Sequence, residues 1–161
     1  MVTLWVVNAS PIILLARVGQ LDLLQRLGCA VVIPKAALLE IQRKGPSDMA
    51  VQALAQATWL VSVDPGPIPP HVEAFGLGDG EKAVLAHVLA NPGSGAIVDD
   101  LAARNAAAGL GIPHQGTLGI ILFAKTQGLI PAARPVLEQL RQHGMYLSDQ
   151  VMNQALAQVG E

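Results

Sequence analysis

Ala96-Ile97-Val98-Asp99-Asp100 is a short apolar run that ends on two adjacent carboxylates. It follows the turn residues Asn91-Pro92-Gly93-Ser94-Gly95 and reads as a buried strand over residues 96–98, and the Ala-rich stretch behind it reads as a helix over 101–108. In an open parallel α/β sheet, ligands bind in the crevice beyond the carboxyl ends of the strands. Two acids at such an end make a candidate divalent-metal site, because hard cations take oxygen ligands. The same pair also suits a structural role. Asp is a preferred helix N-cap, and a second acid in the first turn complements the helix dipole. Both readings stand for Asp99 and Asp100.

Further oxygen donors fall at comparable junctions. Asn8 follows the first apolar run, Glu40 lies on the helix after the second, and Glu81 stands in the first turn of a helix opened by Asp79-Gly80. Each has a plain alternative. Glu40 reads equally as a solvated helix residue, although Ala36, Ala37, Leu39 and Ile41 around it are apolar, and Glu81 as a complement to its helix N-terminus. Ser10 reads as a helix cap rather than a nucleophile, because no His stands near it in sequence to act as a base. Gly76-Leu77-Gly78-Asp79-Gly80 lacks the Lys and Ser/Thr of a P-loop, and no Gly-x-Gly-x-x-Gly opens a helix after a strand, which disfavours nucleotide binding of those kinds.

The elements that must position these residues alternate in type. Leu4-Trp5-Val6-Val7 predicts a strand, and Ser10-Pro11 a helix start, with the helix running from Ile12 to Val18. Leu21 to Leu27 predicts a second short helix, Ala30 to Ile33 a strand, Pro34 to Ile41 a helix and Asp48 to Ala57 another. Trp59 to Val63 reads as a strand or edge segment, and Asp64 to Pro70, with Pro65, Pro67, Pro69 and Pro70, as an irregular connection. Glu81 to Ala90 predicts a helix and Gly111 to His114 a short strand that leads into Gly116-Thr117-Leu118. Ile120 to Gln127 predicts an apolar helix, Pro131 or Pro135 the start of one to His143, and Ser148 the cap of a last one to Val159. Strands alternating with helices give an α/β fold with a mostly parallel sheet and helices on both faces.

Composition bounds the rest. A chain of 161 residues fits one domain with a proper core, and 52% hydrophobic against 3% aromatic content makes that core aliphatic. The net charge of −2 advertises neither nucleic acid nor an anionic membrane. The single Cys29 rules out an internal disulfide, no apolar run approaches the roughly 18 residues of a membrane span, and no signal-peptide pattern follows Met1. These features lead us to expect a soluble, cytoplasmic domain.

Five segments in order resemble the PIN domain: Val6-Val7-Asn8-Ala9-Ser10-Pro11-Ile12; Ile33-Pro34 through Glu40-Ile41; Leu77-Gly78-Asp79-Gly80-Glu81-Lys82-Ala83; Val98-Asp99-Asp100 with Arg104; and Gly116-Thr117-Leu118-Gly119-Ile120 with Ala124-Lys125 and Gly128-Leu129-Ile130. More narrowly, the chain resembles a PIN-like branch related to the VapC toxins of prokaryotic toxin–antitoxin pairs. The resemblance implies one domain over residues 1–161, with a three-layer α/β/α fold. It also implies a ribonuclease that cuts single-stranded RNA with Mg²⁺ or Mn²⁺ held by acidic residues at the carboxyl edge of the sheet. Carried over by motif, the site comprises Asn8, Glu40, Glu81, Asp99 and Asp100, with Ser10 and Thr117 as polar helpers. An antitoxin protein and a homodimer are the implied partners.

One departure stands out. PIN nucleases generally carry Asp where this chain has Asn8; Asn still offers a carbonyl oxygen to a hard cation but removes one negative charge. A competing reading follows from that loss: a catalytically weak or inactive PIN-like module that acts through protein contacts. For RNA, Lys35, Arg43, Lys44, Lys82, Arg104 and Lys125 lie on elements that such a fold brings near the acids, and are candidates for phosphate contacts; solubility is their alternative role. So few aromatic residues argue against a base-stacking platform.

Overall fold

The structure, a computed structural model, describes residues 1–161. Five short strands form one all-parallel sheet: β1 (Leu4–Val7), β2 (Ala30–Pro34), β3 (Val61–Val63), β4 (Ser94–Ile97) and β5 (His114–Gln115), in the spatial order β3-β2-β1-β4-β5. The central pair is in register from Leu4 opposite Ser94 to Val7 opposite Ile97. Parallel strands need crossovers, and six α-helices lie in them: α1 (Ala9–Arg17), α2 (Lys35–Gln42), α3 (Met49–Gln56), α4 (Pro70–Glu73), α5 (Asp79–Ala90) and α6 (Leu101–Gly109); three more follow β5, α7 (Thr117–Thr126), α8 (Arg134–Gln142) and α9 (Asp149–Gln158).

Alternation along the strands divides the interior. Val7, Val31, Ile33 and Ile97 face a larger core with Ile12 and Leu15 of α1, Ile120 and Ile121 of α7, and Leu137 and Leu140 of α8. Val6, Ala96 and the following Val98 face a smaller one, filled by Val84, Leu85 and Val88 of α5 and Ala103, Ala106 and Ala107 of α6. Side chains point to opposite faces at successive strand positions, so an apolar run buried on both faces feeds two cores at once. The result is three layers, helices on each side of the sheet, as the sequence led us to expect. Trp5 lies across the central pair: a Cβ on Gly95 of the neighbouring strand would stand 3.0 Å from its indole Cε3 and 2.9 Å from the Pro113 carbonyl oxygen. No helix is long and apolar enough to cross a membrane.

Several boundaries differ from the sequence expectation, each for a local reason. The first helix begins at Ala9 with Asn8 at its N-cap, not at Ser10-Pro11. Pro11 is tolerated inside the first turn because N–H groups there lack intrahelical partners in any case. Leu21–Arg26 is a 3₁₀ helix. The central strand occupies 94–97 rather than 96–98, and β5 lies at 114–115 rather than 111–114. The helix expected from Ile120 starts at Thr117. At the Pro-rich connection, Pro70 opens the single turn of α4. The expected cap at Ser148 is realised, its hydroxyl accepting from the Val151 N–H at 3.2 Å, whereas Asp48, expected as the first helical residue, caps α3 instead and accepts from the Ala50 N–H at 2.8 Å.

The start of α8 has no cap of its own and borrows one. Glu161 accepts the Ala133 N–H at 2.6 Å and the Arg134 N–H at 3.1 Å. The Ala133 bond, chiefly, holds its carboxyl below the usual range. A carboxylate with a lowered pKa in the folded state adds stability that is present above the unfolded pKa and is lost as pH falls through the folded one. Glu161→Ala is therefore expected to lower Tm at pH 7, with the deficit closing as both proteins are acidified below pH ~4. Parallel melts of the two proteins that stayed equal at pH 7 would show that the clasp carries no stability.

Candidate functional site

The direction of winding reverses between β1 and β4, and in open α/β sheets such a switch point opens a crevice at the carboxyl edge. Asn8 leaves β1 there, its N–H donating to the Ile97 carbonyl at 3.0 Å. It is only 6% exposed, and its Oδ1 is the one buried side-chain polar atom in the protein without a hydrogen-bond partner. Gly80, in the first turn of α5, brings a second oxygen beside it. A Cβ at Gly80 would stand 2.6 Å from Asn8 Oδ1, 3.2 Å from Glu40 Oε2 and 3.6 Å from the Ala37 Cα. Only glycine lets α5 come this close to α2 and to the end of β1. An unsatisfied buried acceptor costs about 1–3 kcal/mol, and a cation is one ligand that would satisfy it.

Glu81, next along α5, takes up its structural role: its carboxylate accepts the Gly78 N–H at 3.0 Å. Burial nonetheless pushes its pKa up; the Gly78 bond pulls it down, and the charges of Asp100 and Glu40 add to the rise. The acids of α2 and of the β4–α6 junction thus oppose the ionisation of Glu81.

The two neighbouring aspartates divide their duties. Asp100 caps α6, accepting the Ala103 N–H at 3.1 Å. Asp99 turns toward α7 and accepts the Thr117 N–H at 2.7 Å and the Thr117 hydroxyl at 2.8 Å, with the Ser10 hydroxyl at 3.5 Å, the outer limit of a hydrogen bond. Thr117 is fully buried, and a side chain on Gly116 would stand 2.8 Å from Asp99 Oδ1. Asp99 is thereby fixed from two helices, while a carboxylate has about four acceptor positions and so keeps some free.

Asn8, Ser10, Glu81, Asp99, Asp100 and Arg104 all line one cleft of about 880 Å³. Glu40 does not line it; its Oε2 lies near the Gly80 position that also faces Asn8 Oδ1. Among the cationic candidates, the structure brings Arg104 into the cleft. Lys82, its side chain only 18% exposed, pairs with Glu73 at 3.1 Å and Asp79 at 3.8 Å. Lys125 donates to the Pro131 carbonyl at 2.9 Å. Lys35, Arg43 and Lys44 are exposed at the two ends of α2. Tyr146, in the loop between α8 and α9, lines the same cleft, and the low aromatic content gave no reason to single it out.

No three His, Cys, Asp or Glu side chains converge into a ready metal cage. The donors that do gather are all oxygen, which suits a hard cation rather than zinc, and Mg²⁺ is commonly held by one or two carboxylates with water and substrate phosphate completing its shell. The unpartnered Asn8 carbonyl fits that pattern.

The family model described as DUF3368: PIN domain matches residues 4–161 of the chain. No curated protein and no solved structure matches it.

Two outcomes follow from this geometry. Gly80→Ala forces a Cβ against the buried Asn8 side chain and is expected to destabilise the fold by about 1–3 kcal/mol in urea melts; an unchanged midpoint would show that the helices separate freely. For Glu81 the pKa is raised, so the folded protein holds that proton beyond the pH at which the unfolded chain releases it. Stability is full below the unfolded pKa and falls as pH rises through the folded one. Glu81→Gln keeps an acceptor for Gly78 and removes the charge. In chelator its Tm should exceed that of the natural protein at pH 7 and match it near pH 4, and a lower Tm at pH 7 would contradict the repulsion.

Proposed function

The chain belongs to the PIN-domain family, and on that premise we propose that it is a divalent-metal-dependent endoribonuclease acting on single-stranded RNA. The observation that carries the proposal is the buried, unpartnered Oδ1 of Asn8 at the switch point of the sheet, beside an acid-lined cleft. Asn8, Glu81 and Asp99 would hold the cation, Mg²⁺ or Mn²⁺, with Glu40 and Asp100 adding negative charge around it. Such a cation, when bound, makes water a better nucleophile and neutralises charge on the phosphate that is cut.

The chain's own groups prepare the place. Thr117 and Ser10 hold the Asp99 carboxylate in one orientation before any ligand arrives. No side chain caps the start of α1, so the free N–H groups of its first turn and the helix dipole offer a seat to a phosphate beside Asn8. Arg104 adds a full positive charge in the same cleft. Burial and the charges of Asp100 and Glu40 disfavour ionised Glu81 in the empty site, and an entering cation would relieve that cost.

As part of the same proposal, the protein works in the cytoplasm as a homodimer and as the toxin of a toxin–antitoxin pair, restrained by an antitoxin. Asn8 itself favours a second reading. With one charge fewer and no converging group of three acids, the chain would be an inactive PIN-like module that acts by binding protein.

End-labelled single-stranded RNA incubated with Mn²⁺, with Mg²⁺ and with chelator separates the readings. Cutting should require metal and fall about 100-fold or more in Asp99→Asn/Asp100→Asn, the scale seen when charge-stabilising groups are lost. No cutting by folded protein in millimolar metal would move the assignment to the binding module. Asn8→Asp places a second charge beside Glu40. It should lower Tm in chelator and give a larger Mn²⁺-induced rise than the natural protein, because tighter binding to the folded state stabilises it further. Equal metal-induced rises would remove Asn8 from the ligand set.

A further inference from the structure

We propose that the cleft lined by the carboxylates also holds a nucleobase subsite, with Tyr146 as its stacking platform and Gln115, Gln154 and Gln158 as its polar readers. This rests on the reading of the protein as an RNA-binding enzyme and adds how RNA is held.

Tyr146 is 93% exposed, the most exposed aromatic side chain in the protein. Its ring packs on nothing, yet the loop that carries it is firmly tied. Arg17 of α1 donates to the His143 carbonyl at 3.1 Å, the Met145 N–H to the Leu140 carbonyl at 3.0 Å, and Arg141 both to the Leu147 carbonyl at 3.3 Å and to Asp149. Leu147, directly after it, is buried in the larger core. A rigid loop that holds an aromatic ring in water has already met the entropic cost of ordering a platform, and a flat π-face can gain from a stacked base what it does not gain within the chain.

The groups around the ring favour a base over a second protein surface. Val151, Gln154, Ala155 and Gln158 recur at helical spacing along one stripe of α9 and line the same cleft as Asn8 and Asp99. Gln115, at the end of β5, lines it too, and none of these three amides has a hydrogen-bond partner within the protein. Each amide offers two donors and an acceptor, the complement needed by the Watson–Crick edge of an unpaired base. Arg104 lines the same cleft and offers a positive charge to the phosphate of a strand whose base stacks on Tyr146.

The test is anisotropy of fluorescein-labelled uridine, adenosine and cytidine decamers in Ca²⁺, with oligomer integrity checked on gels and protein mass by light scattering. Tyr146→Ala should weaken binding of the tightest decamer about tenfold or more, while Tyr146→Phe stays within about twofold, because the ring and not the hydroxyl stacks. Gln154→Ala/Gln158→Ala should narrow the preference among the three decamers. If the natural protein binds RNA and Tyr146→Ala binds it equally well, the subsite is wrong and the ribonuclease reading survives. If the natural protein binds none of the decamers, both fall. A loss of affinity that tracks dissociation of a dimer into monomers would make Tyr146 an interface residue and overturn the subsite.

Discussion

Everything at the functional edge depends on β1 being hydrogen-bonded in parallel to β2 on one side and β4 on the other. Because all five strands point the same way, every residue that leaves a strand leaves it at the same edge. Because the chain winds outward in both directions from β1, the helices after β1 and β4 diverge and leave a crevice between their starts. Asn8 and Asp99 occupy those two exits without any dedicated loop to carry them. Backbone pairing of Val7 with Ile97 therefore sets the spacing of these two residues.

Charge is the second constraint. Burial, together with the charges of Asp100 and Glu40, disfavours ionised Glu81, yet each of these acids has a structural position: Glu81 on the Gly78 N–H, Asp100 on the start of α6, Glu40 beside Gly80. An acid that caps a helix is fixed in place by the capping bond, so structural and chemical roles here reinforce rather than exclude each other. Asn8 is the odd member. A neutral amide reduces the repulsion that the other acids create, at the expense of attraction for a cation, and its carbonyl is left without a partner.

Much of this was legible in the residues. Apolar runs that stop at Asn8 and Asp99, and the cap at Ser148, are local signals, and local signals place elements well. The errors were also local in origin. Ser10-Pro11 offers the stronger helix-start pattern, but Asn8 already leaves the strand in extended geometry and takes the cap. The apolar run sets the start of the next helix at Ile120, while in the fold Asp99 supplies the bond that starts α7 at Thr117. What no pattern could show was contact between distant segments. The pairing of Lys82 with Glu73, the clasp of Glu161 on α8, and the arrival of Tyr146 in the cleft of the acids all require the chain to be folded first.

Trp5 gives the central strand pair a property of its own. Its indole lies over Gly95, in the strand that ends toward Asp99, while its own strand ends at Asn8. Indole emission shifts to longer wavelength as water reaches the ring, so the intrinsic fluorescence of the molecule carries a signal from the seam that sets the site. The second tryptophan, Trp59, sits ahead of β3 at the far edge of the sheet. The two indoles thus report on the middle and the margin of the same sheet, and opening at the seam can be told from fraying at the edge without attaching a label.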